Sequence, residues 1–347
     1  MLKNVGIVGF GAYLPRNRIK ISEIASTWGK KAKDLESALC VQEKTVADFD
    51  EDAVTMAVEA GENAISMFGI SPEQIEAIYV GSESHPYAVN PSATIIAEAL
   101  GFDSDYMALD LEFACKAGTG GMQNIAALLE AKIINYGMVI GTDSAQAKPH
   151  DILEYTASSG AASFILGSKK EDFLVQLIDF VSYSSDTPDF WRRDGVSYPS
   201  HQGRFTGEPA YFTHVIGATH ALFKKSKTQA SDFDYAVFHM PNGKFPKEAG
   251  KRLGFKDKQL EPGLVVSEIG NPYSASSLLG FINLLEQING EKLILVTSYG
   301  SGAGSDSFIF KTTKKLKSAR NLKSFKFYLN RKRYISYSTF LKFSKRI

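Results

Sequence analysis

Cysteine is scarce in this chain: Cys40 and Cys115 are the only two among 347 residues. That excludes a disulfide framework and fits a reducing compartment. Histidine is also sparse and scattered, and no cysteine pair has metal spacing, so a structural zinc is not expected. No apolar run approaches the roughly 20 residues that a membrane span requires. No secretory leader is expected either, since a strand-like segment begins at Val5. The expectation is a cytoplasmic protein with no membrane partner.

Acidic residues are absent from the last stretch. Thirteen of the 39 Lys and Arg fall from Lys311 onward, without one Asp or Glu, leaving 26 basic against 38 acidic residues before it. A basic tail can signal nucleic acid. This one carries spaced aromatics (Phe325, Phe327, Tyr328, Tyr334, Tyr337 and Phe340), which suits a segment packing on an acidic body or a partner. Nucleic acid is therefore not expected.

What is present is an α/β alternation. Strand-like runs cover Gly6 to Phe10, Ala77 to Gly81, Met138 to Gly141, Ala161 to Leu166, Tyr235 to Phe238, Leu293 to Thr297 and Ser307 to Phe310. Helical patterns cover Asp52 to Phe68, Gly121 to Ile134 and Ser276 to Ile288. Three matches then recur at one spacing of 156 residues. Ile78-Tyr79-Val80 leads to Glu83 as Asp234-Tyr235-Ala236 leads to His239. Cys115 precedes a helix with Leu128-Leu129-Glu130 as Asn271 precedes one with Leu284-Leu285-Glu286. Val139-Ile140-Gly141 matches Leu295-Val296-Thr297. A duplicated βα unit explains all three. Folded about a pseudo-twofold axis, it brings Glu83 toward His239 and Cys115 toward Asn271, beyond the carboxyl ends of the strands where α/β sheets bind ligands.

These four residue types form a chemical set. Cys115 stands before small residues and a helix, where the helix dipole favours a thiolate and backbone N–H groups can stabilise an oxyanion. A buried structural thiol is the bland alternative, and Cys40 is assigned to it. His239 ends an apolar strand before a Pro/Asn/Gly turn, as a proton carrier or simply as a hydrogen-bonded strand end. Glu83 is either a solvated loop acid or, in a partly apolar site, a base with raised pKa. Asn271 suits a substrate-facing amide and equally a helix N-cap. Tyr299-Gly300-Ser301-Gly302-Ala303-Gly304 lets backbone approach a ligand, with the Ser301 N–H as a second oxyanion donor.

Several segments carry a family resemblance: Val5 to Pro15, Gly81-Ser82-Glu83-Ser84, Phe113-Ala114-Cys115-Lys116-Ala117-Gly118-Thr119, Arg204 to Pro209, Phe238-His239-Met240-Pro241 and Ser298 to Gly302. They resemble the thiolase superfamily, most closely the short, archaeal type of hydroxymethylglutaryl-CoA (HMG-CoA) synthase. The resemblance implies the thiolase fold, an α/β architecture of two similar halves packed as a pseudo-twofold five-layered αβαβα sandwich. The halves would span residues 1–170 and 171–312, followed by a basic extension, 313–347. It implies Glu83, Cys115 and His239 as catalytic residues. Thr156, Thr206, Asn271 and Ser301 would line an acyl pocket, and Arg204, Lys244 and Glu248 would lie along CoA. The implied reaction condenses acetyl-CoA with acetoacetyl-CoA through an acetyl-cysteine, in the mevalonate pathway, with CoA thioesters as substrates and no cofactor. A homodimer is implied, and a complex with acetoacetyl-CoA thiolase and a small zinc-ribbon/OB-fold protein. Two readings compete: a ketoacyl synthase III-like decarboxylating enzyme, which does not need Glu83, and a thiolase-fold assembly scaffold.

Overall fold

A computed structural model describes residues 2–319 and 323–344, apart from the side chain of Arg204. Its centre is a nine-stranded mixed sheet. In order across it run Tyr235–Phe238, Leu293–Thr297, Gly304–Thr312, Val175–Ser184, Gly6–Tyr13, Ser159–Gly167, Tyr136–Ser144, Ala77–Gly81 and Met107–Leu111. At one junction the pairing is minimal: Gly6–Tyr13 meets Val175–Ser184 only through Gly6↔Gln176 and Ile7↔Val175. The sheet is thus two sheets joined at a corner.

The two sheets repeat one pattern. Ala77–Gly81 is parallel to Tyr136–Ser144, which runs antiparallel to Ser159–Gly167, which runs antiparallel to Gly6–Tyr13. Tyr235–Phe238, Leu293–Thr297, Gly304–Thr312 and Val175–Ser184 reproduce that sequence of directions. The fifth strand, Met107–Leu111, has no partner in the repeat, because the matching stretch folds as the short helices Glu261–Gly263 and Val266–Ile269.

Helices Ala117–Glu130 and Ser276–Gln287 lie between the sheets. Ala53–Phe68 and Ser92–Leu100 cover the first sheet from outside, and Phe212–Ser226 and Phe245–Leu253 cover the second. These are the five expected layers. Ser276–Gln287 is apolar almost all round, with Leu278, Leu279, Phe281, Ile282, Leu284 and Leu285 buried, as a central layer requires. Across the axis the Gly118 N–H donates to the Ser274 hydroxyl at 3.1 Å, and these positions are 156 residues apart. A Cβ on Gly118 would fall 3.0 Å from the Gly141 Cα, so only glycine lets the layers approach this closely. That explains why the first central helix starts at Ala117 rather than at Gly121: its glycines serve packing and are not a loop.

The basic segment packs back on the body. Phe325–Asn330 lies against Ser276–Gln287 and the first strand, Arg333–Tyr334 pairs in parallel with Asn17–Lys20, and Tyr337–Phe343 follows. Phe325, Tyr328, Tyr337 and Phe340 are buried. Lys323 pairs with Glu59, Lys332 with Glu43 and Arg333 with Asp48. An acidic body receives a basic segment, as the charge pattern suggests.

Candidate active site

Two matching loops form the floor of the site. Ala114, before Cys115, has φ 45°, and Gly270, before Asn271, has φ 74°. A positive φ costs an alanine more than a glycine. Cys115 is buried at 3% exposure, and its Sγ donates to Glu83 Oε1 at 3.0 Å. Burial, and then the Glu83 charge, push its pKa well up. This reverses the expected effect of the helix terminus: the resting thiol stays protonated, its proton aimed at Glu83. Cys40 is not core either. It caps helix Ala32–Leu39 with φ 53° and is partly exposed.

Glu83 follows strand Ala77–Gly81, and its loop is tied down by Asp143, which sequence reasoning missed. Asp143 Oδ1 accepts from the Glu83 N–H at 2.8 Å, the Ser82 hydroxyl at 2.8 Å and the Ser84 hydroxyl at 2.7 Å. Its Oδ2 accepts the Ser274 N–H of the other half at 2.8 Å. Burial and the Asp143 charge push the Glu83 pKa up to about 8. No local pattern marks Asp143, because its four donors lie on two loops distant in sequence.

His239 is 1% exposed and ends strand Tyr235–Phe238. Its N–H donates to the Thr297 carbonyl at 2.9 Å, and its carbonyl accepts from the Tyr211 hydroxyl at 2.8 Å. The backbone is fixed, while ring Nδ1 has no hydrogen-bond partner. Burial pulls its pKa down to about 3, so the imidazole is neutral at physiological pH. Asn271 accepts the Tyr273 N–H on Oδ1 at 3.1 Å, which leaves its amide nitrogen to donate.

Cys115, Thr156, Thr206, His239, Asn271 and Ser301 all line one cavity of about 380 Å³, with largely apolar walls. Glu83 lines an adjoining cavity of about 210 Å³ with Ser82, Ser84, Asp143 and Arg192. Phe190, Tyr273 and Ser301 wall both, so Cys115 and Glu83 meet where the two adjoin. Lys244 and Glu248 sit further out, in a groove with Lys247, Lys251, Arg252 and Lys256 that shares Phe245 with the larger cavity. Glu248 is paired there with Arg252. Arg204 lies in the 3-10 turn Gly203–Thr206, its side chain outside the described residues. Phe190 and Arg192 were also missed, since they stand in an irregular stretch without periodicity. Among the described residues no group of His, Cys, Asp and Glu is placed to hold a metal ion.

No family model matches the chain. It is 51% identical over 343 residues to the hydroxymethylglutaryl-CoA synthase of Archaeoglobus fulgidus, covering 99% of each. The chain belongs to the HMG-CoA synthase family. Another HMG-CoA synthase, from Methanocaldococcus jannaschii, is 50% identical, again over 99% of each chain. A crystal structure of HMG-CoA synthase complexed with CoA superposes with a TM-score of 0.88 at 20% identity, covering 98% of this chain and 90% of that one. The 3-oxoacyl-(acyl carrier protein) synthase III of Pseudomonas aeruginosa PAO1 superposes at 0.83 and 18% identity, covering 90% and 99%. The chain thus shares its fold with a 3-oxoacyl-(acyl carrier protein) synthase III as well as with an HMG-CoA synthase.

Proposed function

We propose that this protein is an HMG-CoA synthase that condenses acetyl-CoA, acetoacetyl-CoA and water to HMG-CoA and CoA, and that Cys115, Glu83 and His239 carry the chemistry. The observation that carries this reading is the 3.0 Å contact between the Cys115 thiol and the Glu83 carboxylate. In the first stage Glu83 takes the thiol proton, Cys115 attacks the acetyl thioester, and CoA leaves with a proton. Glu83 next removes a proton from the acetyl methyl group, and the carbanion attacks the ketone of acetoacetyl-CoA. His239, a neutral imidazole, hydrogen-bonds that ketone oxygen and gives its ring proton to the alkoxide, and the proton held on Glu83 returns to the ring, restoring both groups. Water then cleaves the cysteinyl thioester. A methyl group beside a thioester is only weakly acidic, so donors at Cys115 and Ser301 must stabilise the enolate.

A carboxylate raised to about 8 is a base strong enough for that methyl proton and still ionisable near neutrality. Thr156, Thr206, Asn271 and Ser301 enclose the acyl group. This reading assigns Lys244 and Arg204 to the phosphates of CoA, for which Lys and Arg are suited, and Glu248 to a position along it. A decarboxylating enzyme has no use for a carboxylate on its nucleophile. The same reading places the protein in the cytoplasm and the mevalonate pathway, with functional halves at 1–170 and 171–312. It includes a dimer, supported by the open edge of strand Met107–Leu111 with Met107 and Leu109 exposed, and a complex with acetoacetyl-CoA thiolase and a zinc-ribbon/OB-fold protein.

The test is intact-protein mass spectrometry. Acetyl-CoA alone should add one acetyl group to the wild type and none to Cys115→Ala. An acetoacetyl-CoA chase should discharge the label as HMG-CoA, while malonyl thioesters should not. Discharge by a malonyl donor would replace this reading with the decarboxylating one.

A further inference from the structure

The basic C-terminal segment is not used by the chemistry above, yet its last helix reaches the back of the active-site wall. Ser336 caps that helix, accepting the Thr339 N–H, and the Tyr337 N–H donates to Glu23. The Tyr337 hydroxyl then donates to Glu154 Oε1 at 2.8 Å in a buried contact. Glu154 is fully buried, and its Oε2 accepts the Trp28 indole N–H at 2.9 Å and the His150 backbone N–H at 2.8 Å. Trp28 stacks on His150 and meets the Tyr337 ring edge-on. Lys44 covers the face of Phe340 with its ammonium 4.6 Å from the ring centre, and donates to the carbonyls of Glu154 and, at 2.8 Å, Ala157.

The segment held this way presents its other side to the site. Ile152, Leu153 and Thr156 wall the larger cavity. The Thr156 carbonyl accepts the Asn271 N–H at 2.7 Å, and Ala157 bridges to Asn271 as in a sheet. One chain of contacts therefore runs from Tyr337 through Glu154 to Thr156 and Asn271.

We propose that Tyr337 is a positioning residue: through Glu154 the C-terminal segment holds residues 150–157, and with them Thr156 and Asn271, in register for the condensation. The proposal rests on the HMG-CoA synthase reading of the site. A buried carboxylate that loses a donor rearranges to recover one, and the wall it belongs to moves with it. Displacements well under an ångström at a reacting centre cost rate more than affinity.

The experiment uses full-length Tyr337→Phe, which keeps the ring and removes the hydroxyl. Lys323→Ala serves as a control, breaking a tail contact far from the wall. Expected for Tyr337→Phe is a roughly tenfold loss of kcat for condensation, with KM for both thioesters and the midpoint of thermal unfolding near wild type. Lys323→Ala should leave kcat unchanged. Combined with Thr156→Val, Tyr337→Phe should add less than its own single effect, because both act on one wall. Unchanged kcat in Tyr337→Phe, strict additivity with Thr156→Val, or a loss tracking reduced unfolding midpoints would each overturn the proposal. If the wild type itself failed to make HMG-CoA, the functional reading would fall first. The rate of Cys115 acetylation in the variants would then show whether the wall positions anything at all, and an unaltered rate would end the proposal as well.

Discussion

Glu83 and His239 follow equivalent strands of the two halves, and burial acts on both, with opposite results. The acid is driven up to about 8 and the imidazole down to about 3. Desolvation penalises whichever form is charged, so an acid and a base at matching positions both come to rest nearly neutral. The surroundings then separate them. Glu83 keeps a like charge, Asp143, bound to its own loop, and touches the thiol it serves. His239 is anchored by its backbone while ring Nδ1 has no partner. One half supplies a base tuned by a neighbour, and the other supplies a neutral donor tuned by dryness. A duplicated scaffold has been given two chemistries by changing what faces the loop and leaving the strand beneath unchanged.

The comparison is broken most severely by Glu83→Gln. Condensation should fall about a thousandfold, in the middle of the range for losing a general base. Acetylation of Cys115, read by mass, should slow as well, because Glu83 takes the thiol proton before it takes the methyl proton. A variant that condensed at the wild-type rate would remove Glu83 from the mechanism.

His239→Gln sharpens the other side through folding. The folded pKa lies below the unfolded value of 6.5, so between pH 6.5 and about 3 the unfolded chain binds the extra proton. Stability from this residue is therefore whole above pH 6.5 and is lost as pH falls through that window. The loss amounts to roughly 2 kcal/mol by pH 5. Urea unfolding at pH 7 and pH 5 should show a smaller acid loss in His239→Gln than in the wild type. Equal losses would mean that the imidazole is not dry.

Asp143→Asn removes the neighbour's charge, and an amide nitrogen in place of Oδ2 also leaves the Ser274 N–H without its acceptor. A base works only when ionised, so condensation in the wild type should rise with pH through about 8. Removing the like charge should move that rising limb to lower pH by on the order of one unit. A limb that stayed in place would leave burial as the whole cause.

Much of this arrangement was legible before the structure. The constant spacing identified the equivalent strands and loops, and it paired Cys115 with Asn271, because a duplication leaves its mark in apolar patterns that any reader can align. Strands Met107–Leu111 and Val175–Ser184 were not foreseen. The first is a sheet edge whose Met107 and Leu109 are exposed, so no bounded buried run advertises it. The second is interrupted by Asp179, buried against Lys225. Asp143, Glu154 and the buried Lys116–Asp306 pair were equally invisible. A buried charge is defined by its partners, and here these lie up to 190 residues away in sequence. The thiol was misjudged for a related reason: a helix terminus can be read locally, whereas the burial that outweighs it, and the carboxylate beside it, cannot.

The docking of Tyr337 on Glu154 also sets an order of manufacture. During synthesis Cys115, His239 and Asn271 all leave the ribosome before the residue that braces their wall does. Both sheets can assemble while the cavity still lacks its rear support, which arrives only once Tyr337–Phe343 has been made.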